Sequence, residues 1–173
     1  MRALINLPMR VIGSRHTLRY AASFLLAIAM AVNVALAQTD PFIGKWQLDP
    51  SRSKYESGHV PQSMTITMEA GGQGIRYHSE TTFSNGRRSV TEYTANYDER
   101  LTTVQQDGGV SAPVSLKRID PNTVEATYER GFRTIATSKR VVSGDGKTMT
   151  ITTVETTKEG KGNTNVSVFH KLE

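Results

Sequence analysis

Beyond residue 38 the chain alternates apolar and polar residues with a period of two and is punctuated by glycine, asparagine and aspartate. Met64, Ile66 and Met68 share one face of a strand while Ser63, Thr65 and Thr67 share the other, and Val124, Ala126 and Tyr128 oppose Glu125, Thr127 and Glu129 in the same way. Runs of about eight to ten residues rich in Thr, Val, Ile and Tyr end in turn signals, the pattern of an all-β sandwich or barrel. The turns fall at 71–74, 85–86, 98–99, 107–109, 120–122, 130–131, 144–146 and 160–163. Between them the pattern predicts strands near 44–49, 62–70, 74–83, 87–97, 101–106, 112–119, 123–130, 132–142, 147–157 and 163–172, with no convincing helix. The stretch from Pro50 to Pro61 mixes Ser, Gly and Pro and reads as a loop. Half-buried strands joined by short turns suit an antiparallel meander, and closing it into a barrel removes its edges.

One turn sets a register. With Asn85-Gly86 as a two-residue loop, Tyr77 would face Thr94. With Ser84-Asn85-Gly86 as a three-residue loop and Gly86 left-handed, Phe83 pairs with Arg87 and Tyr77 meets Tyr93. A one-residue slip turns every side chain over, so the second register is expected, with Ile75, Tyr77, Phe83, Tyr93 and Ala95 on one buried face and Ser79 and Thr81 among them.

The first 37 residues differ in kind. Arg2, Arg10, Arg15 and Arg19 precede the apolar run "AASFLLAIAMAVNVALA", which ends in Ala35-Leu36-Ala37. A basic region, an apolar region and an A-x-A exit describe a cleavable signal peptide over 1–37, with 38–173 as the mature domain. The expected destination is the periplasm or the medium. Removing this segment leaves 17 lysines and arginines against 16 acids, a net charge of +1. The pairs Arg87-Arg88, Lys117-Arg118 and Lys139-Arg140 are spread apart, so no nucleic-acid partner is expected. No membrane contact is expected after cleavage, and a monomer is assumed. The chain has no cysteine, which excludes disulfides, thiolate metal sites and a lipidated cysteine.

Candidate chemistry is sparse. His59, His78 and His170 stand apart without metal-ligand spacing, and Glu80 and Glu92 on neighbouring strands are weak grounds for hydrolysis. No nucleophile elbow or P-loop occurs, so no enzyme, cofactor or metal is expected. Arg118 shares a face with Val114 and Leu116, and Arg140 with Phe132, Ala136 and Val142. Either these arginines snorkel to water from strand ends, or they are interior anchors that need a partner.

The segment "PFIGKWQL" resembles the opening of lipocalin and fatty-acid-binding-protein barrels, in which Gly-x-Trp begins the first strand and the tryptophan plugs the closed end. Together with "GDGKTMTITT" it more closely resembles small exported bacterial lipocalin-like proteins of the calycin type, in layout over residues 40–173. The resemblance implies an antiparallel up-and-down barrel of about eight to ten strands. Gly44 would allow a close backbone approach, Trp46 would need a partner for its N–H, and Arg140 would cover the ring. The Arg-x-Tyr clamp of fatty-acid-binding proteins does not carry over: the corresponding positions read Ser167-Val168-Phe169 or Arg140-Val141-Val142. The expected function is binding of a small, mostly apolar ligand by Tyr77, Tyr93, Leu116, Arg118, Tyr128 and Arg140. The alternative is a compact envelope interaction protein with a filled interior and no ligand.

Overall fold

The computed structural model describes residues 40–56, 60–157 and 160–172. The expected signal segment, His59 and the reversal after Thr157 lie outside these residues. Eleven strands follow one another: β1 (Gly44–Leu48), β2 (Lys54–Tyr55), β3 (Pro61–Gly71), β4 (Gly74–Phe83), β5 (Arg88–Asn96), β6 (Thr102–Gln106), β7 (Gly109–Asp120), β8 (Thr123–Arg130), β9 (Arg133–Val142), β10 (Thr148–Thr157) and β11 (Gly160–Leu172). Each of β3 to β10 pairs antiparallel with the next, and β1 pairs with both β3 and β11. Ten strands thus form a closed antiparallel ring, an up-and-down barrel.

Two local readings differ from expectation. The stretch after Leu48 is not a plain loop. Asp49 caps a 3-10 turn, Pro50–Arg52, its carboxylate accepting from the Ser51 and Arg52 amides, and β2 then adds to β11 through Lys54 and Tyr55. Gly160-Lys161-Gly162-Asn163, expected as a turn, opens β11 instead. Glycine in a strand often marks a bulge, and here Gly160 pairs with Thr157 of β10 while Gly162 lies at the irregularity in register between Val154 and Thr156.

The hairpin β4–β5 has the three-residue loop. Gly86 has φ +81°, the Phe83 amide donates to the Arg87 carbonyl at 2.9 Å, and Tyr77 pairs with Tyr93, the rings stacked with centroids 4.7 Å apart. Left-handed backbone at Gly86 lets the chain reverse without steric cost, and the register follows.

Because the meander alternates direction, successive turns lie at opposite ends of the barrel. The N-terminal approach and the reversals after β3, β5, β7 and β9 gather at one end, which side chains plug. Phe42 and Trp46 are fully buried there, and the Trp46 Nε1–H donates to the Phe42 carbonyl at 2.9 Å. Ile66, Met68, Ile75, Leu116, Met149 and Phe169 pack around them as the core. Arg118 closes the rim: its guanidinium pairs with Asp40 and lies 4.0 Å from the Tyr97 ring centroid, while the Tyr97 hydroxyl donates to Asp40 at 2.9 Å.

The other end carries the β4–β5, β6–β7 and β8–β9 turns and is unplugged. Its β8–β9 reversal is a two-residue loop in which Gly131 has φ +56° and Phe132 has φ +62°. A bulky residue in left-handed backbone costs about 1–2 kcal/mol, and the Phe132 side chain is fully exposed, so nothing within the described residues offsets that strain.

Candidate functional site

A cavity of about 340 Å³ descends from the unplugged end into the barrel. Parity explains its wall. On β4 and β5 the residues that share a face with Tyr77 and Tyr93 point inward, which brings Ser79, Thr81, Ser89 and Thr91 to the lining along with Phe83. Gln106 and Ser111 add polar groups from β6 and β7, while Met64, Val104, Ala112, Ile135 and Ala136 make the wall apolar in patches. Small hydroxyl residues in these inward positions leave volume that Leu or Phe would fill.

Three tyrosines form the lower part of the cavity, and Arg140 lies beneath them. Arg140 is 2% exposed and is not part of the wall. Its Nη2 donates to the Tyr128 hydroxyl at 3.1 Å, and its guanidinium carbon lies 5.3 Å from the Tyr77 ring centroid. Among the described residues Arg140 Nε and Nη1 are buried and make no hydrogen bond of good geometry, and the Tyr93 hydroxyl, likewise buried, lies beside the guanidinium and interacts with it. No carboxylate of the described residues forms an ion pair with Arg140. A guanidinium stays charged in proteins, so the barrel encloses a cation whose balancing anion is not supplied by a side chain around it.

The Tyr77 and Tyr93 hydroxyls are kept protonated. Burial raises the pKa of Tyr77 and Tyr93, and the neighbouring Arg140 charge only partly opposes it. At neutral pH the cluster therefore presents hydroxyl and guanidinium donors, a surface suited to an acceptor or an anion.

The expected site residues divide into two groups. Tyr77, Tyr93, Tyr128 and Arg140 come together, although Arg140 lies behind the wall. Leu116 is fully buried in the core and does not line the cavity, and Arg118 is at the plugged end on Asp40. Gly44 and Trp46 also lie at the plugged end. A Cβ added at Gly44, whose φ is +135°, would fall 2.5 Å from Lys171 Cε. The cation over the Trp46 ring is Lys171, with Nζ 5.0 Å from the centroid, rather than Arg140. Lys171 faces Trp46 across the β1–β11 ladder, whereas β9 is separated from β1 by two strands. Ser89, Gln106 and Ser111 were not singled out as site residues. The parity that turns Tyr93 inward also turns Ser89 inward and could have found it.

On the outer face, β5 and β6 share only the pairs Thr91–Gln106 and Glu92–Gln105. Beyond them a depression of about 320 Å³ lies over the backs of Tyr77 and Tyr93, and the Thr102 hydroxyl bridges to the Thr94 carbonyl at 2.9 Å. Beside it His78 is not isolated. Its Nδ1 lies 2.7 Å from Glu92 Oε1 and its Nε2 3.2 Å from Glu80 Oε1. The Glu92 hydrogen bond, against a smaller desolvation effect and with help from Glu80, raises the His78 pKa above its ordinary value. A histidine pKa raised by folding contributes stability below the unfolded value near 6.5, and that contribution is lost as pH rises through the higher folded value. Replacing Glu92 with Gln is therefore expected to lower the denaturation midpoint at about pH 6 and to leave it little changed at about pH 9. Equal losses at both pH values would show that the carboxylate acts independently of the histidine charge.

No protein-family model matches the chain, and no curated protein matches it. Among solved structures the chain is similar to zebrafish ileal bile acid-binding protein complexed with cholic acid, with 12% identity over 76% of this chain and 99% of that one and a TM-score of 0.47.

Proposed function

We propose that this is an exported binding protein that takes a small amphipathic molecule into the barrel, with its acidic or strongly hydrogen-bond-accepting end toward Tyr128, Tyr93 and Arg140 and its apolar part toward Phe83, Val104 and Ile135. The observation that carries this reading is the buried Arg140, charged and without a carboxylate partner among the described residues, beneath a cavity open to solvent. An unpaired interior charge is costly, and a bound anion beside it would remove that cost while gaining charge-assisted hydrogen bonds. Since Arg140 lies behind the tyrosines, the ligand reaches it through the Tyr128 hydroxyl or by displacing a tyrosine ring. The cavity volume is at the lower end of the range for small-molecule sites.

Binding without catalysis is supported by the wall itself. Among the described residues the lining includes hydroxyls but no histidine or carboxylate to act as a general base. The open cavity also favours this reading over an interaction protein with a filled interior. Export is supported by the sequence of residues 1–37 alone.

Two naphthalene probes of similar size test the proposal, the anionic 1-anilinonaphthalene-8-sulfonate and the neutral N-phenyl-1-naphthylamine. Saturable binding of the anionic probe is expected, weakened about tenfold or more in Arg140→Gln, with the neutral probe changing by less than about threefold. Tyr128→Phe, which keeps the shape of the wall, is expected to shift the anionic probe in the same direction. Denaturation midpoints measured in parallel separate a lost contact from a lost fold. The proposal fails if folded wild-type protein binds neither probe, or if Arg140→Gln weakens both equally.

A further inference from the structure

The unplugged end carries an exposed aromatic side chain that its own chain does not use. Phe132 occupies the second central position of a reversal in which both residues have positive φ, where glycine or asparagine is the ordinary occupant. It is fully exposed, and Val110 at the start of β7, beside the β6–β7 turn, is 75% exposed. Strained backbone and exposed apolar surface at one tip have no return within the described residues, which directs attention to something outside the chain.

The charges around the tip indicate what that is. The segments 84–88, 106–111 and 129–134 carry Arg87, Arg88, Arg130 and Arg133 against Asp107 and Glu129. Arg87 lies 3.9 Å from Asp107, while Arg88, Arg130 and Arg133 form no ion pair among the described residues. Arg87, Val110, Arg130 and Gly131 border one polar depression, so the two turns stand side by side.

We propose that this end docks on an anionic phospholipid bilayer, with Phe132 and Val110 entering the headgroup and acyl boundary and Arg130 and Arg133 meeting lipid phosphates. Aromatic side chains favour the membrane interface, and each basic residue near an anionic leaflet adds attraction. Two apolar points at separate tips, with a mainly polar depression between them, suit a deformable lipid surface better than a protein partner, whose anchors need a continuous packed interface. The contact is peripheral and reversible, since two side chains are far from an anchor. It departs from the expectation of no membrane contact after cleavage. Its apolar contacts do not depend on the ligand reading, because neither Phe132 nor Val110 lines the cavity, whereas Arg130 stands on the cavity wall.

Co-sedimentation with phosphatidylcholine vesicles, with and without phosphatidylglycerol, tests it on wild-type protein and variants prepared in the same N-terminal form, so that any contribution of residues 1–37 cancels. Wild-type protein is expected to sediment with the anionic vesicles and much less with the neutral ones. Phe132→Asn should lower partitioning about tenfold while the thermal midpoint holds or rises, since asparagine tolerates left-handed backbone. Arg130→Gln and Arg133→Gln should each lower it about fivefold, on anionic vesicles alone. Failure of the wild type to sediment, indifference to lipid charge, or wild-type partitioning of Phe132→Asn would each overturn the proposal.

Discussion

Replacing Trp46 with alanine is expected to destabilise the protein by about 3–5 kcal/mol, the range for removing a large buried aromatic side chain from a core. The ring is fully buried, its N–H is bonded to the Phe42 carbonyl, and Lys171 lies over its face. Truncation would open a void under Phe42, leave that carbonyl without its donor, and loosen the junction at which β1 meets both β3 and β11. Urea denaturation of the variant would show the loss directly, and the slope of the transition would report whether the native state has become less compact. A loss below about 1 kcal/mol would mean that the plug is not a principal source of stability.

Gly74→Ala is expected to cost about 3 kcal/mol, at the upper end for overpacking, for a different reason. A Cβ at this position would stand 2.0 Å from the Ala95 carbonyl oxygen and 2.6 Å from Asn96 Cα, both backbone atoms of the adjacent strand. A flexible side chain could swing away from such a contact, but a paired strand cannot without breaking the first rungs of the β4–β5 ladder. Gly86→Ala is the useful comparison, since its added Cβ meets nothing within 4 Å and only the φ of +81° is unfavourable. Its cost is expected to be nearer 1 kcal/mol. Thermal denaturation of the two variants side by side would check the order, and a larger loss for Gly86→Ala would contradict the steric account.

What was legible from the sequence was mostly local. Period-two alternation identifies the inward residues of β3, β4, β5 and β8, and the Ser84-Asn85-Gly86 turn is enough to pair Tyr77 with Tyr93. Such signals depend on a few neighbouring residues and on one hairpin. They report whether a side chain faces in or out, but not how far along the barrel axis it lies. Leu116, Arg118 and Tyr128 all face inward from adjacent strands, yet Tyr128 lines the cavity, Leu116 is in the core, and Arg118 is at the rim of the plug. Height depends on how every strand is offset against its neighbours around the ring, a cumulative quantity no single turn encodes. The same limit explains Trp46. Identifying Lys171 as its cover requires the pairing of β1 with β11, which joins opposite ends of the sequence.

That last pairing has a consequence for how the protein is made. Trp46 and Lys171 are 125 positions apart, the difference of their residue numbers, and are direct neighbours in the ladder. From β4 to β10 each strand can form against the one synthesised just before it, but the ring cannot shut until the thirteen-residue β11 arrives. Until then β1 and β10 each present an open edge, and the tryptophan plug lacks one of its walls. Contacts of such long sequence separation make folding slow, and the ring stays open until β11 is available. Under the export proposed above, delayed closure would be an advantage, because a barrel that sealed early would be too wide to thread.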